Sequence, residues 1–352
     1  APLIVLFLVV IIWLSLKMTG FDLHVVITKF RKMVDLLEKI FQPDWTFFPK
    51  VISPLIDTIK MSILGTVIGC VLALLACCLI GLVLPAGLAH SPKMHKGYDL
   101  YSAAVPVGLT AFFVRALLYQ ALGGTLPGGA STDLGVSSWN VANVSCFGVF
   151  GLCIVGALVL GCRPKDYWRL LRDPGYSVDF SQKYGNAAFL MNVGIYGLFI
   201  VLYYNLIGAT FNAVTFGCIF CMLACCCSGS HPGNVWPIMV GYVAASFLGK
   251  WFCVGEAYTQ AINAQAIVVG LCFANGLSPI SGRYGWPFGI LAGMLHFTLV
   301  TSVPLLHGGF CLYNGGFTAA FVCMFFIPVF ERFFRTKEER KLAKAERTAN
   351  SQ

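Results

Sequence analysis

About ten stretches of this chain, each mostly apolar and close to the length that crosses a bilayer, follow one another with little polar chain between them. They fall near residues 2–16, 61–84, 103–122, 144–162, 187–208, 211–227, 235–253, 261–280, 286–306 and 316–333. A helix needs roughly 20 apolar residues to cross the hydrocarbon core. Charged residues make up 11% of the chain, whereas a soluble domain carries about a quarter. The alternating pattern of a membrane β-barrel is absent, and in lipid a segment must satisfy its own backbone groups. The expected fold class is therefore all-α, a multi-span helical membrane protein.

Two phrases stand out of this apolar background. The first is His95-Lys96-Gly97-Tyr98-Asp99-Leu100-Tyr101-Ser102, and the second is His307-Gly308-Gly309-Phe310-Cys311-Leu312-Tyr313-Asn314. Both read His-x-Gly-aromatic-x-Leu-Tyr-(Ser/Asn) and run into a Gly/Ala/Phe-rich apolar segment. Internal duplication in a multi-span protein is typical of transporters, which place a substrate path between related halves. Aromatic and glycine bias is the competing explanation.

The net charge of +9 reads as orientation and not as nucleic-acid binding. Arg332, Arg335, Lys337, Arg340, Lys341, Lys344 and Arg347 follow the last span, and Arg163, Lys165, Arg169 and Arg172 share one loop. The positive-inside rule puts both in the cytoplasm. Six expected spans lie between them, an even number, so the two assignments agree. The loop with Lys93 and Lys96 then also lies inside, and 123–143 outside. Residues 17–60 should then be outside despite seven lysines and arginines, and the spacing of Val34, Leu37, Ile40 and Phe41 suggests an amphipathic segment lying on the membrane. Ala1 opens the chain without an initiator methionine and no Ala-x-Ala cleavage site follows the first span, so a fragment is expected.

Fifteen cysteines would suggest disulfides in a small secreted protein. Here most lie in apolar spans, where Cys acts as a small hydrophobe. Cys225, Cys226 and Cys227 with His231 could be read as a metal site. Adjacent ligands on a helix point apart, however, and the Cys-x-x-Cys spacing favoured by zinc is missing. No metal and no cofactor is expected.

Two resemblances cover different parts of the chain. Phe41-Gln-Pro-Asp-Trp45, Pro54-Leu-Ile-Asp-Thr58-Ile-Lys-Met61 and Leu64-Gly65-Thr66-Val-Ile-Gly69 resemble the start of phosphonate-type ABC-transporter permeases. That resemblance implies an ATPase partner, yet the Glu-Ala-Ala coupling loop of such permeases does not follow. From about residue 83 the chain resembles the uncharacterised bacterial membrane family catalogued as domain of unknown function 1576. Lys93-Met-His-Lys-Gly-Tyr98, Asn234-Val-Trp-Pro-Ile238 and the stretch from His307 to Thr318 carry it. The family carries its domain twice, which implies a repeat here, but it brings no established activity. The implied organisation is a permease-like segment over 1–82, a partial first repeat with linker over 83–184, a second repeat over 185–333 and a basic tail over 334–352. A complete first repeat would begin before residue 1, so a chimera or fragment is expected.

In the second half, polar and helix-breaking residues interrupt the apolar segments. Phe189 and Asn192 open one span, Asn275 closes another beside Gly276, Ser278 and Pro279, and Tyr313 and Asn314 begin the last. Broken helices expose backbone groups that are tolerable in a membrane only where they line a cavity or are buried in protein. Asn and Tyr add hydrogen-bonding groups without charge, which suits a path for a small polar solute. This arrangement remotely resembles urea transporters. Phe189 and Asn192 would stand for their Phe-x-Asn-Asn-Pro element, and Tyr313, Asn314 and Gly315 for the Gly-(Phe/Tyr)-Asn-Gly element. There is no Asn-Asn-Pro here, and Tyr101 and Ser102 stand where the first repeat should have Tyr-Asn or Phe-Asn. Gly185, Gly194 and Gly197 read as helix-packing positions. His296 sits near mid-span as a neutral imidazole or a relay, and a relay lacks a carboxylate in the second-half spans.

No nucleophile elbow, His-Glu-x-x-His or phosphate loop occurs, so an enzyme is not expected. The leading expectation is a channel or transporter for a small polar solute in a bacterial inner membrane, with its C-terminus cytoplasmic. Homo-oligomers are compatible with it. The alternatives are an ABC permease subunit, which alone would need an ATPase, and a membrane scaffold without transport.

Overall fold

The computed structural model describes residues 28–32, 34–35, 38, 48–121, 123, 135–252, 260–308 and 313–350. The span expected at 2–16 lies outside them. Two compact units divide the chain, Ala1–Val83 and Leu84–Gln352. All regular structure among the described residues is helical.

Helix α1, Phe48–Met94, is 47 residues long. It holds two stretches of membrane-crossing length and composition, Ile52–Val71 and Cys77–Met94, where one span at 61–84 was expected. Charges within the helix are accommodated along it: Lys60 reaches Asp57 at 3.5 Å, one turn away. Of the positions that suggested a membrane-lying segment, Leu37, Ile40 and Phe41 lie outside the described residues. Apolar side chains such as Leu55, Leu64 and Leu74 are exposed along α1, as on a helix that faces lipid.

In the second unit, α2 (Ala104–Arg115) runs on into a π-helical turn, Ala116–Ala121. Helix α3 (Trp139–Val159), the short α4 (Pro164–Leu170) and α5 (Phe180–Leu206) follow. Next come α6 (Ala213–Ala224), α7 (Pro232–Phe252), α8 (Gln265–Ala274), a 3-10 turn (Asn275–Leu277) and α9 (Ser278–Tyr284). The chain ends with α10 (Trp286–Val300), α11 (Val303–His307), α12 (Asn314–Phe333) and α13 (Lys337–Ala349). Eight helical stretches among the described residues are long and apolar enough to cross a membrane. The segments expected at 211–227 and 286–306 are shorter helices, Ala213–Ala224 and Trp286–Val300. Polar or glycine-containing turns end each of them early.

Small residues set the helix spacing. Gly197 of α5 faces the Phe150 ring of α3, where a Cβ would come within 2.5 Å. Helices α7 and α10 meet through Gly241 and Gly293, each of whose absent Cβ would lie 2.3 Å from a carbonyl oxygen, that of Ile290 or Ile238. Gly194 packs likewise against Ile154. Gly185 does not fit this pattern. Its φ of 82° and ψ of 162° break α5 after its first turn, and nothing lies within 4 Å of its would-be Cβ.

Contacts sort the loops of this unit onto two ends. At one, Tyr176 donates to the Lys96 carbonyl (2.8 Å), Arg283 donates to the Tyr98 hydroxyl (2.9 Å), and Lys96 pairs with Glu331. At the other, Ser137 N–H bonds Phe211 O (2.9 Å) and Asn212 donates to Gln265 (2.6 Å). The three basic loops thus gather together, away from the end of the 123–143 connection that is described.

Candidate functional site

Two helix interruptions meet inside the second unit. The first is the turn from Cys225 to His231 between α6 and α7; the second is the 3-10 turn at Asn275–Leu277 between α8 and α9. Both occur where the apolar pattern yields to small and polar residues, Ser228-Gly229-Ser230 and Asn275-Gly276-Leu277-Ser278. Backbone groups freed by a break need partners when buried, and side chains supply them. Asn275 donates through Nδ2 to Met222 O at the end of α6 (2.9 Å) and to Tyr196 Oη on α5 (3.2 Å). Asn192, one turn before Tyr196, donates to Ser230 O at 2.9 Å. The Ser230 and Ser278 hydroxyls lie 3.0 Å apart, joining the two breaks.

The resulting seam is buried: Asn192, Ser230, Asn275 and Ser278 are all 0% exposed. Its Nδ2 donors are used, but the side-chain oxygens of Asn192 and Asn275 have no protein partner. Buried polar atoms are seldom left so, because each loses its hydration without compensation.

The first motif copy enters the same place as a non-helical strand of chain. Leu100 N–H bonds Gly276 O (3.1 Å), and the Tyr101 hydroxyl lies 3.1 Å from Cys221 O and 3.2 Å from Cys272 O. Asp99 is buried against Gly276, accepts the Tyr101 N–H at 2.9 Å through Oδ1, and leaves Oδ2 without a partner. Burial pushes its pKa from 3.8 up to about 7, the Tyr101 bond opposing the rise. No sequence pattern marked Asp99 as a site residue, since its burial comes from the insertion of this strand beside a glycine that has no Cβ to exclude it.

The eight residues singled out from the sequence divide into groups. Asn192, Asn275 and Tyr101 belong to the seam. Tyr101 and Tyr313 both flank the Phe273 ring, with centroids at 5.2 and 6.0 Å, and Tyr313 is half exposed. Ser102 accepts or donates to His95 Nε2 at 2.9 Å, and Asn314 bonds His307, so each motif closes on its own eighth residue. The tenth residues, Ala104 and Gly316, meet: a Cβ on Gly316 would lie 2.7 Å from that of Ala104. His296 is held apart from the seam by Tyr242 (2.6 Å) and Gly315 O (2.8 Å). Phe189 packs among apolar neighbours. Phe189, Asn192, Tyr313 and Asn314 were expected to approach a common central cavity; Asn192 bonds Ser230 O and Asn314 bonds His307. Ser230, Ser278 and Tyr196 were not anticipated, although the Ser-Gly-Ser turn after the cysteine run was a visible signal.

Eight apolar helical stretches of membrane-crossing length, several of them broken around a buried polar seam, are what a helical membrane protein requires. Residues 163–332 match the model of a family described as "Protein of unknown function (DUF1576)", beginning well after residue 83. No curated protein and no solved structure matches the chain.

Proposed function

We propose that the chain is a membrane channel or transporter for a small polar solute, and that the solute's path passes the seam. The observation that carries this reading is the pair of buried side-chain oxygens, on Asn192 and Asn275, with no protein donor. Together with the Ser230, Ser278 and Tyr196 hydroxyls they offer a solute with N–H donors an uncharged set of acceptors. Such groups can replace hydration without binding too tightly to release. Uptake into vesicles holding the full chain tests it with urea, ammonium and other small polar solutes. Flux is expected for at least one of them, and Asn275→Leu should reduce that flux by about tenfold or more while the protein still inserts. No flux across the panel, or flux indifferent to Asn275→Leu, would remove the basis of this reading.

The same proposal includes the orientation. Lys93, Lys96, the 163–172 loop and the tail lie at one end of the second unit, so the charge bias assigns that whole end to the cytoplasm. A cysteine probe at Ser137 should be labelled by an impermeant reagent from outside, and one at Ser351 only after permeabilisation. Labelling of both from one side would reverse or break the assignment.

A further inference from the structure

A cavity of about 510 Å³ opens at the basic end of the bundle. It is walled by the loop after α4, the start of α7, the end of α9 and the first turn of α13. Four cationic side chains line it: Arg172, Arg283, Lys337 and Lys341. None of them takes part in an ion pair among the described residues. Their contacts are neutral. Arg283 lies over the Tyr176 ring at 4.4 Å, Arg172 over Trp168 at 5.2 Å, and Lys337 donates to Ser281 O at 3.2 Å. Burial pushes the Lys337 pKa below its ordinary value, with Arg340 and Lys341 adding to the effect.

Two carboxylates also line the wall, and one of them is committed. Asp173 receives Lys183 (2.6 Å) and Tyr184 (2.7 Å) on Oδ2 and the Gly175 N–H (2.8 Å) on Oδ1. Burial alone would raise its pKa, but these bonds outweigh it and hold the group below its usual range. On the wall itself Glu338 remains, and Glu339 beside it also faces Arg283, so four cations still outnumber the two carboxylates that offset them.

The deepest group on the wall is His231, 1% exposed. Its Nε2 lies 2.9 Å from Asp173 O; a carbonyl only accepts, so Nε2 carries the proton. In the neutral ring Nδ1 is then a bare acceptor, and it has no partner. Burial holds the pKa of His231 down to about 4, against the Asp173 carbonyl bond. The Nδ1 edge faces Gly233, 3.1 Å from that residue's would-be Cβ. Gly233 lies in the first turn of the 21-residue α7; the Asn234 and Val235 N–H groups there bond His231 O, and the positive end of the helix dipole favours an anion.

We propose that this cavity binds phosphate, free or as a monoester, in a form that keeps one proton. The four cations and the α7 N-terminus take up the charge, and the P–OH donates to His231 Nδ1. Sulfate and phosphodiesters carry no such proton and leave Nδ1 unmet. A soluble phosphate compound and a phosphatidic-acid headgroup present the same chemistry. The site is separate from the seam and stands whether or not the chain carries a solute.

The test uses the full chain in phosphatidylcholine nanodiscs, titrated calorimetrically with inorganic phosphate and with sulfate at equal ionic strength. Phosphate is expected to bind about tenfold tighter than sulfate or better, roughly 1.4 kcal/mol or more. Arg172→Gln with Lys341→Gln, both on exposed side chains, should weaken phosphate about tenfold without changing the unliganded unfolding temperature. His231→Gln should bring phosphate and sulfate together. Discs containing phosphatidic acid or phosphatidylglycerol then separate the sources. Suppression of phosphate binding by the first lipid alone identifies a headgroup site, and suppression by neither identifies a soluble ligand. Absence of phosphate binding in phosphatidylcholine discs, equal affinity for sulfate, or a double variant that binds like the parent would overturn the proposal.

Discussion

Gly282→Ala is expected to lower the unfolding temperature of the protein by roughly 10 °C or to prevent its accumulation in the membrane. A Cβ at this position would lie 1.8 Å from the Pro174 carbonyl oxygen and 2.6 Å from its carbon. The obstacle is backbone, so no rotamer change relieves it. The Pro174 segment cannot retreat either, because its neighbour Gly175 is pressed against Gly229: a Cβ on Gly175 would lie 2.1 Å from Gly229 O. Helix α9 and two connections therefore approach one another at distances only glycine permits. Overpacking against movable side chains costs about 1–3 kcal/mol, and an immovable neighbour puts this substitution at or above the top of that range. For a unit of this size each kcal/mol moves the midpoint by about 2–4 °C. Thermal unfolding in detergent, followed by circular dichroism, measures it. A midpoint within 2–3 °C of the parent, on the order of 1 kcal/mol, would mean that α9 and these two connections are not packed as described.

Asp99→Asn should change how stability depends on pH. Burial raises the folded-state pKa of Asp99 from 3.8 to about 7. A raised pKa means that the folded chain holds the proton more tightly than the unfolded chain does. Its stabilising contribution is fully present below about pH 4 and is lost as pH rises through about 7, by which point the folded state carries a buried carboxylate. A rise from 3.8 to about 7 corresponds to about 4 kcal/mol. Asparagine cannot ionise. The variant should therefore be no more stable than the parent near pH 4.5 and clearly more stable at pH 8.5. Parallel unfolding curves at the two pH values decide the matter. A constant difference between parent and variant would show that Asp99 does not titrate in this window.

The class of fold was legible because lipid imposes it. A sequence with so few charges and so many apolar stretches has few alternatives, and helices follow. Span limits were less legible. Lys50 and Lys60 were read within a loop over 17–60 but are carried within α1, since a helix can hold charges that a hydropathy reading treats as an end. Asn192 and Asn275 were legible as polar residues beside glycine in apolar runs. Their partners were not. Ser230 and Ser278 are ordinary turn residues until two separate breaks are brought together, and that juxtaposition depends on packing between distant helices. Gly185, Gly194 and Gly197 show the same limit. All three look alike in sequence, yet two admit a neighbouring helix and one supplies a left-handed backbone angle.

The Tyr101 hydroxyl has one proton and stands at nearly equal distance from two carbonyls, Cys221 O and Cys272 O. A phenol donates one bond at a time. At any instant, then, only one of the two can receive its full bond. Hydroxyl rotation is fast and its cost small, so occupancy passes back and forth between α6 and α8 without displacement of the ring. Evenly matched acceptors make this a balance that small perturbations tip. A shift of a few tenths of an ångström in either helix end settles the proton on one side and frees the opposite carbonyl for another donor.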